Sequence, residues 1–262
     1  MNNIPVGVFD SGIGGITVLS NIIKSLPGQK FIYFGDTENA PYGIKDSETI
    51  LRYTINAADF LVQKGIKALV VACNTATSAA INHLRESINI PVIGMEPALK
   101  LAVDKGSGGA IAVMATSLTI KERKFNLLMK NFSSKVEVVP IACSGLVEII
   151  EEGEWEGARI HDYLMKKFSD KDIEKITDVV LGCTHYIFIK RSVEEFFDNR
   201  VNVLDGNEGT AKQLKRILVA HGLYQEEPMP EGFDEACVEF YFSGNQDKPL
   251  SLYTDWLREN VK

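Results

Sequence analysis

Two short segments constrain this chain more than anything else in it. Val179-Val180-Leu181-Gly182-Cys183-Thr184-His185 and Ala68-Leu69-Val70-Val71-Ala72-Cys73-Asn74-Thr75 share one layout: an apolar run rich in β-branched residues, a small residue, a cysteine, then polar residues that include Thr. Each reads as a buried strand whose carboxyl end presents a thiol, which is where open α/β sheets place their ligand sites. The cysteines at 73 and 183 are 110 residues apart. Two further landmarks keep nearly the same spacing. Arg200-Val201-Asn202-Val203-Leu204-Asp205 matches Val92 to Glu96, with Asp205 and Glu96 109 residues apart. Gly109 to Thr116 resembles the opening strand Ile4 to Phe9, and Ser117-Leu118-Thr119 stands where Asp10-Ser11 stands. The spacing predicts two related halves, each delivering one cysteine. A pair of thiols suits an acid and a base on opposite sides of one carbon.

A chain of 262 residues, 45% hydrophobic, can build one large core or two smaller ones. Its formal charge of -7 argues against a nucleic-acid or anionic-membrane surface as the main partner. Met1-Asn2-Asn3-Ile4-Pro5 runs into a strand-like segment without the layout of a signal peptide, and the apolar runs fall well short of the roughly 18 to 20 residues that span a bilayer. The expectation is a cytoplasmic protein. The other two cysteines, Cys143 and Cys237, read as small buried hydrophobes. With no C-x-x-C spacing, neither a zinc site nor an iron-sulfur site is expected, and no disulfide framework.

Taken in order, the chain alternates strand and helix. Ile4 to Phe9 is a strand ending at Asp10-Ser11-Gly12-Ile13-Gly14-Gly15, before a helical pattern from Ile16 to Ser25. A dinucleotide fingerprint would need Gly at 12, 14 and 17, and position 17 is Thr, so the turn is better read as amides aimed at an anion. Asp10 and Ser11 fall at the strand's carboxyl end, although Asp10 could instead cap a helix. Phe31 to Asp36 is the second strand, and Ala40-Pro41-Tyr42-Gly43 is a loop able to offer a hydroxyl and amides to a ligand. Helices are expected over 47–64 and 76–87, with a strand and turn at 90–97. In the second half, 121–131, 146–151 and 161–168 read as helix and 136–140 as strand. After a helix over 210–220 and a solvated loop over 226–231, Cys237 to Gly244 alternates as a half-buried strand and 250–259 closes as a helix. The tail has no counterpart in the repeat, so it is expected to pack on the first half. The fold class is α/β, two pseudo-symmetric domains with mainly parallel sheets flanked by helices, over 1–96 plus 210–262 and over 97–209.

A strand-end thiol followed by a helix sits near the positive end of the helix dipole, which favours thiolate. Asn74, Thr75 and Thr184 could cap those helices or bind a carboxylate. A cleft between two such strand ends would hold a small anion with one sulfur on each side. Two rivals stand beside this reading. Cys183 and His185 could form a nucleophile pair of a hydrolase or transferase, which leaves Cys73 unexplained. A non-catalytic small-molecule binder leaves both thiols without a role. His83, His161 and His221 read as ordinary packed or surface residues.

Phe9-Asp10-Ser11-Gly12-Ile13-Gly14-Gly15, Pro41-Tyr42-Gly43, Ala72-Cys73-Asn74-Thr75-Ala76 and Gly182-Cys183-Thr184-His185-Tyr186 together resemble the glutamate racemases, in the expected order over nearly the whole chain. The resemblance implies a racemase without cofactor or metal that interconverts L- and D-glutamate and supplies D-glutamate for peptidoglycan, with the active site between two α/β domains. Aspartate racemases share the paired cysteines, but the Asp-Ser-Gly opening and the Pro-Tyr-Gly loop point to glutamate. By motif, Cys73 would deprotonate D-glutamate and Cys183 L-glutamate, with Asp10 and His185 as polar helpers that also face the substrate. Ser11, Pro41, Tyr42, Gly43, Asn74, Thr75, Thr116 and Thr184 would hold its amino and carboxylate groups. Glu151 matches an acidic position beside the second thiol, with Glu148 and Glu152 as neighbouring alternatives. Ile187 and Leu118 depart from the family's usual Pro and Gly, beside the site rather than in it. Most members form dimers, so a homodimer is implied, with no nucleic acid or membrane partner.

Overall fold

Val6–Asp10 is buried at every position, as a strand covered on both faces must be, and the rest of the first sheet is laid out around it. In the computed structural model, residues 2–95, 97–132, 134–228, 232–244 and 250–261 are described. Glu96, the repeat landmark, and Met229, Pro230 and Glu231 of the expected solvated loop lie outside them. The strands are β1 (Val6–Asp10), β2 (Phe31–Gly35), β3 (Ala68–Val71), β4 (Val92–Gly94), β5 (Ala110–Ala115), β6 (Val138–Ala142), β7 (Ile176–Leu181), β8 (Asn202–Asp205) and β9 (Val238–Phe242). The α-helices are α1 (Gly15–Ser25), α2 (Ser47–Gln63), α3 (Asn74–Ser87), α4 (Leu99–Lys105), α5 (Ser117–Lys121), α6 (Arg123–Phe132), α7 (Leu146–Glu151), α8 (Ala158–Phe168), α9 (Lys190–Phe196), α10 (Asn207–Ala220) and α11 (Leu250–Asn260).

The chain divides into two compact units, one of Met1–Tyr42, Asp46–Met95 and Asn207–Lys262, the other of Gly43–Lys45 and Glu96–Gly206. The first holds a five-stranded sheet in the order β4-β3-β1-β2-β9, with every pairing parallel. Chain direction reverses across β1: α1 leads to β2 on one side and α2 crosses back to β3 on the other. Right-handed crossovers therefore put α1 and α2 on opposite faces. α10 and α11 pack beside α1, and α3 beside α2. α2 starts cleanly because Asp46 accepts from the Thr49 amide at 2.8 Å, an N-cap worth about 1 kcal/mol.

The second unit's sheet runs β6-β5-β7-β8, again parallel throughout. Read from its other edge, β8-β7-β5-β6 is the order β4-β3-β1-β2 with β5 in place of β1, so the repeat is one of topology. Alternation along β5 feeds two cores. Ala110, Ala112 and Met114 join Val179, Leu181 and Cys183 under α7 to α9, while Ile111, Val113 and Val180 join Leu99, Ala102 and Phe125. Each fully buried aliphatic side chain contributes roughly 1.5–3 kcal/mol.

Several expected boundaries move. The helix read over 121–131 is two pieces, because Glu122 is extended (ψ 140°) between α5 and α6. β6 begins at Val138 rather than Val136, and α10 begins at Asn207 rather than Thr210, which takes the unit boundary with it. α4 and α9, each seven residues long, have no clear sequence signal.

Candidate active site

In the first unit the predicted residues gather at the carboxyl ends of β1 and β3. Cys73 is the N-cap residue of α3: it sits in extended backbone (φ −67°, ψ 118°) and its sulfur accepts from the Ala76 amide at 3.4 Å. The cap is thus the thiol itself rather than Asn74 or Thr75, which form the helix's first turn. The sulfur thus receives an amide hydrogen bond at the positive end of a 14-residue helix. The Ser11 hydroxyl lies 3.4 Å from the same sulfur. Asp10 does not cap α1, whose N-cap position is Gly14 without a side-chain bond. Its carboxylate instead accepts from the Gly12 amide at 3.0 Å and pins the loop that carries Ser11. Gly15 leaves the room for this, since a β-carbon there would stand 2.4 Å from the Asp10 β-carbon and 2.8 Å from the Tyr33 hydroxyl. Asn74 and Thr75 are buried beside the thiol, and the Asn74 side-chain carbonyl has no hydrogen-bond partner among the described residues.

Tyr42 follows Pro41, which is joined to Ala40 by a cis peptide bond. Its hydroxyl does not face outward as a donor for a ligand, because it donates to Asp36 Oδ2 at 2.5 Å. Burial and the Asp36 carboxylate hold this phenol well above its ordinary range, so it stays a hydrogen-bond donor. Asp36 Oδ1 also accepts from Asn39 Nδ2 at 2.9 Å and from the Ser243 hydroxyl at 2.5 Å. Neither Asp36 nor Ser243 stood out as a site residue in the sequence. The only hint was the position of Asp36 at a strand's carboxyl end.

The second unit places Cys183 just past β7, buried, followed by a 3₁₀ turn over Thr184–Ile189 rather than directly by an α-helix. The strand has ended by then, so Cys183 and His185 meet through the turn. The Cys183 sulfur lies 3.9 Å from His185 Nδ1, and Thr184 Oγ1 lies 3.5 Å from the same nitrogen. On its far side the ring meets Glu151 Oε1 at 2.6 Å from Nε2. Among the three neighbouring glutamates it is therefore Glu151, at the end of α7, that reaches His185. Thr116 caps α5, accepting from the Thr119 amide at 3.2 Å. Gly43 packs tightly against it, since a β-carbon at 43 would stand 2.7 Å from the Thr116 β-carbon. Cys143 is fully buried, and burial pushes its thiol up to about 12. Among the described residues, no group of three or more His, Cys, Asp or Glu is arranged to hold a metal ion, and no helix is long and apolar enough to cross a membrane.

Two parallel-sheet units, each presenting a buried cysteine at the carboxyl end of an inner strand with hydroxyl, carboxylate or imidazole groups against it, define a two-domain α/β protein. A profile of the Asp/Glu/hydantoin racemases matches residues 11–214. A protein of Clostridium botulinum (strain Langeland) described as glutamate racemase is 51% identical over 87% of this chain and 88% of its own. Among solved structures, glutamate racemase of Bacillus anthracis superposes with a TM-score of 0.82 at 31% identity, covering 94% of this chain and 90% of the other. That of Francisella tularensis, in complex with D-glutamate, gives 0.80 at 31% identity over 100% and 94%. The chain belongs to the Asp/Glu/hydantoin racemase family, as an amino-acid racemase.

Proposed function

We propose that this enzyme interconverts L- and D-glutamate by proton transfer between the α-carbon and two thiols, without a cofactor. The observation that carries the reading is the pair of cysteines, each at a strand end and each with its own polar partner. Cys73 as thiolate takes the α-proton of D-glutamate and the Cys183 thiol returns a proton to the opposite face; the L-isomer reverses the roles. One proton enters and one leaves, so no redox partner is needed. Amides at the start of α3 suit a carboxylate. The unpartnered Asn74 carbonyl suits the substrate's ammonium group, and Ser11 and Thr184 lie beside their respective sulfurs. With its hydroxyl committed to Asp36, Tyr42 serves through its ring and, with Gly43, through main-chain amides, while Pro41 shapes the loop. Thr116 supports the loop at Gly43. The half-identical relatives described as glutamate racemases favour glutamate over aspartate. The same reading makes the units of Cys73 and Cys183 the enzyme's two domains and extends to D-glutamate supply for peptidoglycan, a cytoplasmic location and a homodimer.

The test is to incubate wild type, Cys73→Ala and Cys183→Ala with D-glutamate in heavy water with reductant, following optical rotation and the α-proton signal, with D-aspartate in parallel. Wild type should racemise glutamate with deuterium uptake, and each variant should lose at least a hundredfold in two-way turnover while keeping its far-ultraviolet dichroism. Substantial two-way turnover by either variant would overturn the two-thiol mechanism. No exchange by wild type with either amino acid would leave the Cys183–His185 nucleophile as the reading to pursue.

A further inference from the structure

We infer that Ser243, in the carboxyl-terminal strand segment, is a positioning residue for the loop that carries Tyr42, acting through Asp36. The inference rests on the reading of Tyr42 as substrate-holding. Among the described residues β9 is the one strand of the first sheet without a counterpart in the second, and Ser243 lies beyond residues 11–214, where the family profile matches. β9 pairs with β2 in parallel register, Gly35 opposite Phe242, and the Ser243 amide then donates to the Gly35 carbonyl at 3.1 Å. This brings the Ser243 hydroxyl to the end of β2. There it donates to Asp36 Oδ1 at 2.5 Å and accepts from the Glu38 amide at 3.1 Å, so both its hydrogen-bonding roles are filled. The Ser243 carbonyl accepts from Thr37 Oγ1 at 3.1 Å, a third tie to the same turn. Asp36 in turn holds Tyr42 at 2.5 Å.

Removing the Ser243 hydroxyl leaves the Glu38 amide without its acceptor and strips one of three donors from Asp36, at the foot of the loop rather than at the reacting atoms. A buried carboxylate hydrogen bond of this kind is worth enough to shift ligand binding severalfold without touching the proton-transfer groups. Ser243→Ala should therefore raise KM for D-glutamate by about fivefold to tenfold and leave kcat within about twofold. Ser243→Thr keeps the hydroxyl and should restore the wild-type KM.

Hydrogen exchange read by mass spectrometry on the free protein supplies a measurement independent of turnover. In Ser243→Ala the amides of 37–44 should exchange faster, those of β3 should be unchanged, and Ser243→Thr should return 37–44 to wild-type protection. Unchanged exchange at 37–44 in Ser243→Ala overturns the inference whatever the activity. So does a fall in kcat equal to the rise in KM that Ser243→Thr fails to rescue, which would mark a general packing defect. A wild type inactive on both amino acids sinks the glutamate reading alone, and the exchange pattern still decides whether Ser243 anchors the loop.

Discussion

His185 is gripped at one ring nitrogen by Glu151 at 2.6 Å and faces Cys183 from the other at 3.9 Å. On the proposed mechanism, Nε2–H donating to the carboxylate would leave Nδ1 to accept the thiol proton, which would make Glu151 the residue that sets the His185 tautomer. The two residues should then not be equivalent under substitution. Glu151→Gln still offers a carbonyl acceptor to Nε2–H and should cost only a few-fold in kcat, whereas His185→Asn removes the proton acceptor and should cost tenfold to a hundredfold or so. Steady-state kinetics in both directions decide it, and equal losses from the two variants would sink the tautomer argument. Cys73 and Cys183 are legible in the sequence because the strings around them recur. Asp36 is not, because what gives it a role is Ser243, 207 residues away, and no local pattern announces such a pairing.

The start of α1 shows how a helix can be placed by tertiary packing against its own propensity. Gly15 is the first helical residue, and in isolation Ala there would be favoured by up to about 1 kcal/mol. In the fold, that β-carbon would meet Asp10 and Tyr33 well inside contact distance, and both belong to a fully packed core. Gly15→Ala should therefore destabilise, by about 1–3 kcal/mol, through overpacking. Gly209 is the matched control, exposed in the first turn of α10 with open space where its β-carbon would go. Gly209→Ala should stabilise by a few tenths to about 1 kcal/mol. Chemical denaturation of both variants measures the difference, and shifts of the same sign would mean the crowding at Gly15 relaxes freely. The long elements were readable in advance because their periodicities are strong: 2.0 in β9, 3.6 in α2, an unbroken apolar run in β3. α4 and α9 were not, since seven residues give two turns and too few repeats to betray a face, and the extended Glu122 that splits α5 from α6 has no breaker residue beside it.

At the scale of the whole molecule, the recurrence of one strand order in both sheets was foreshadowed by the spacing of the cysteine strands. The fifth strand was foreseen as a strand packing on the first half, but its place beside β2 depends on a pairing across some 200 residues that no local pattern specifies. The same burial that makes two cores also governs how the molecule meets alkali. Cys143 is 2% exposed, and its thiol is raised from 9.0 to about 12 by desolvation. A group whose folded pKa is raised contributes stability that is whole below the unfolded value and is lost as pH climbs toward the folded one. Between pH 9 and 12 the unfolded chain releases this proton while the folded chain keeps it, so stability falls by up to about 1.4 kcal/mol per pH unit on account of Cys143. Lys67 works the other way, its amine lowered by burial from 10.5 to about 8, and it restores stability as pH rises between those values. The two are separated by difference. Cys143→Ala should be less stable than wild type at pH 8 by about 1 kcal/mol for the packing lost, and that deficit should shrink and then reverse as pH rises past 9. Urea denaturation from pH 8 to 11 reads the gap between the two proteins directly. A gap that stays constant across that range would show that the folded protein lets this thiol ionise, and the tight core around Cys143 would have to open to allow it.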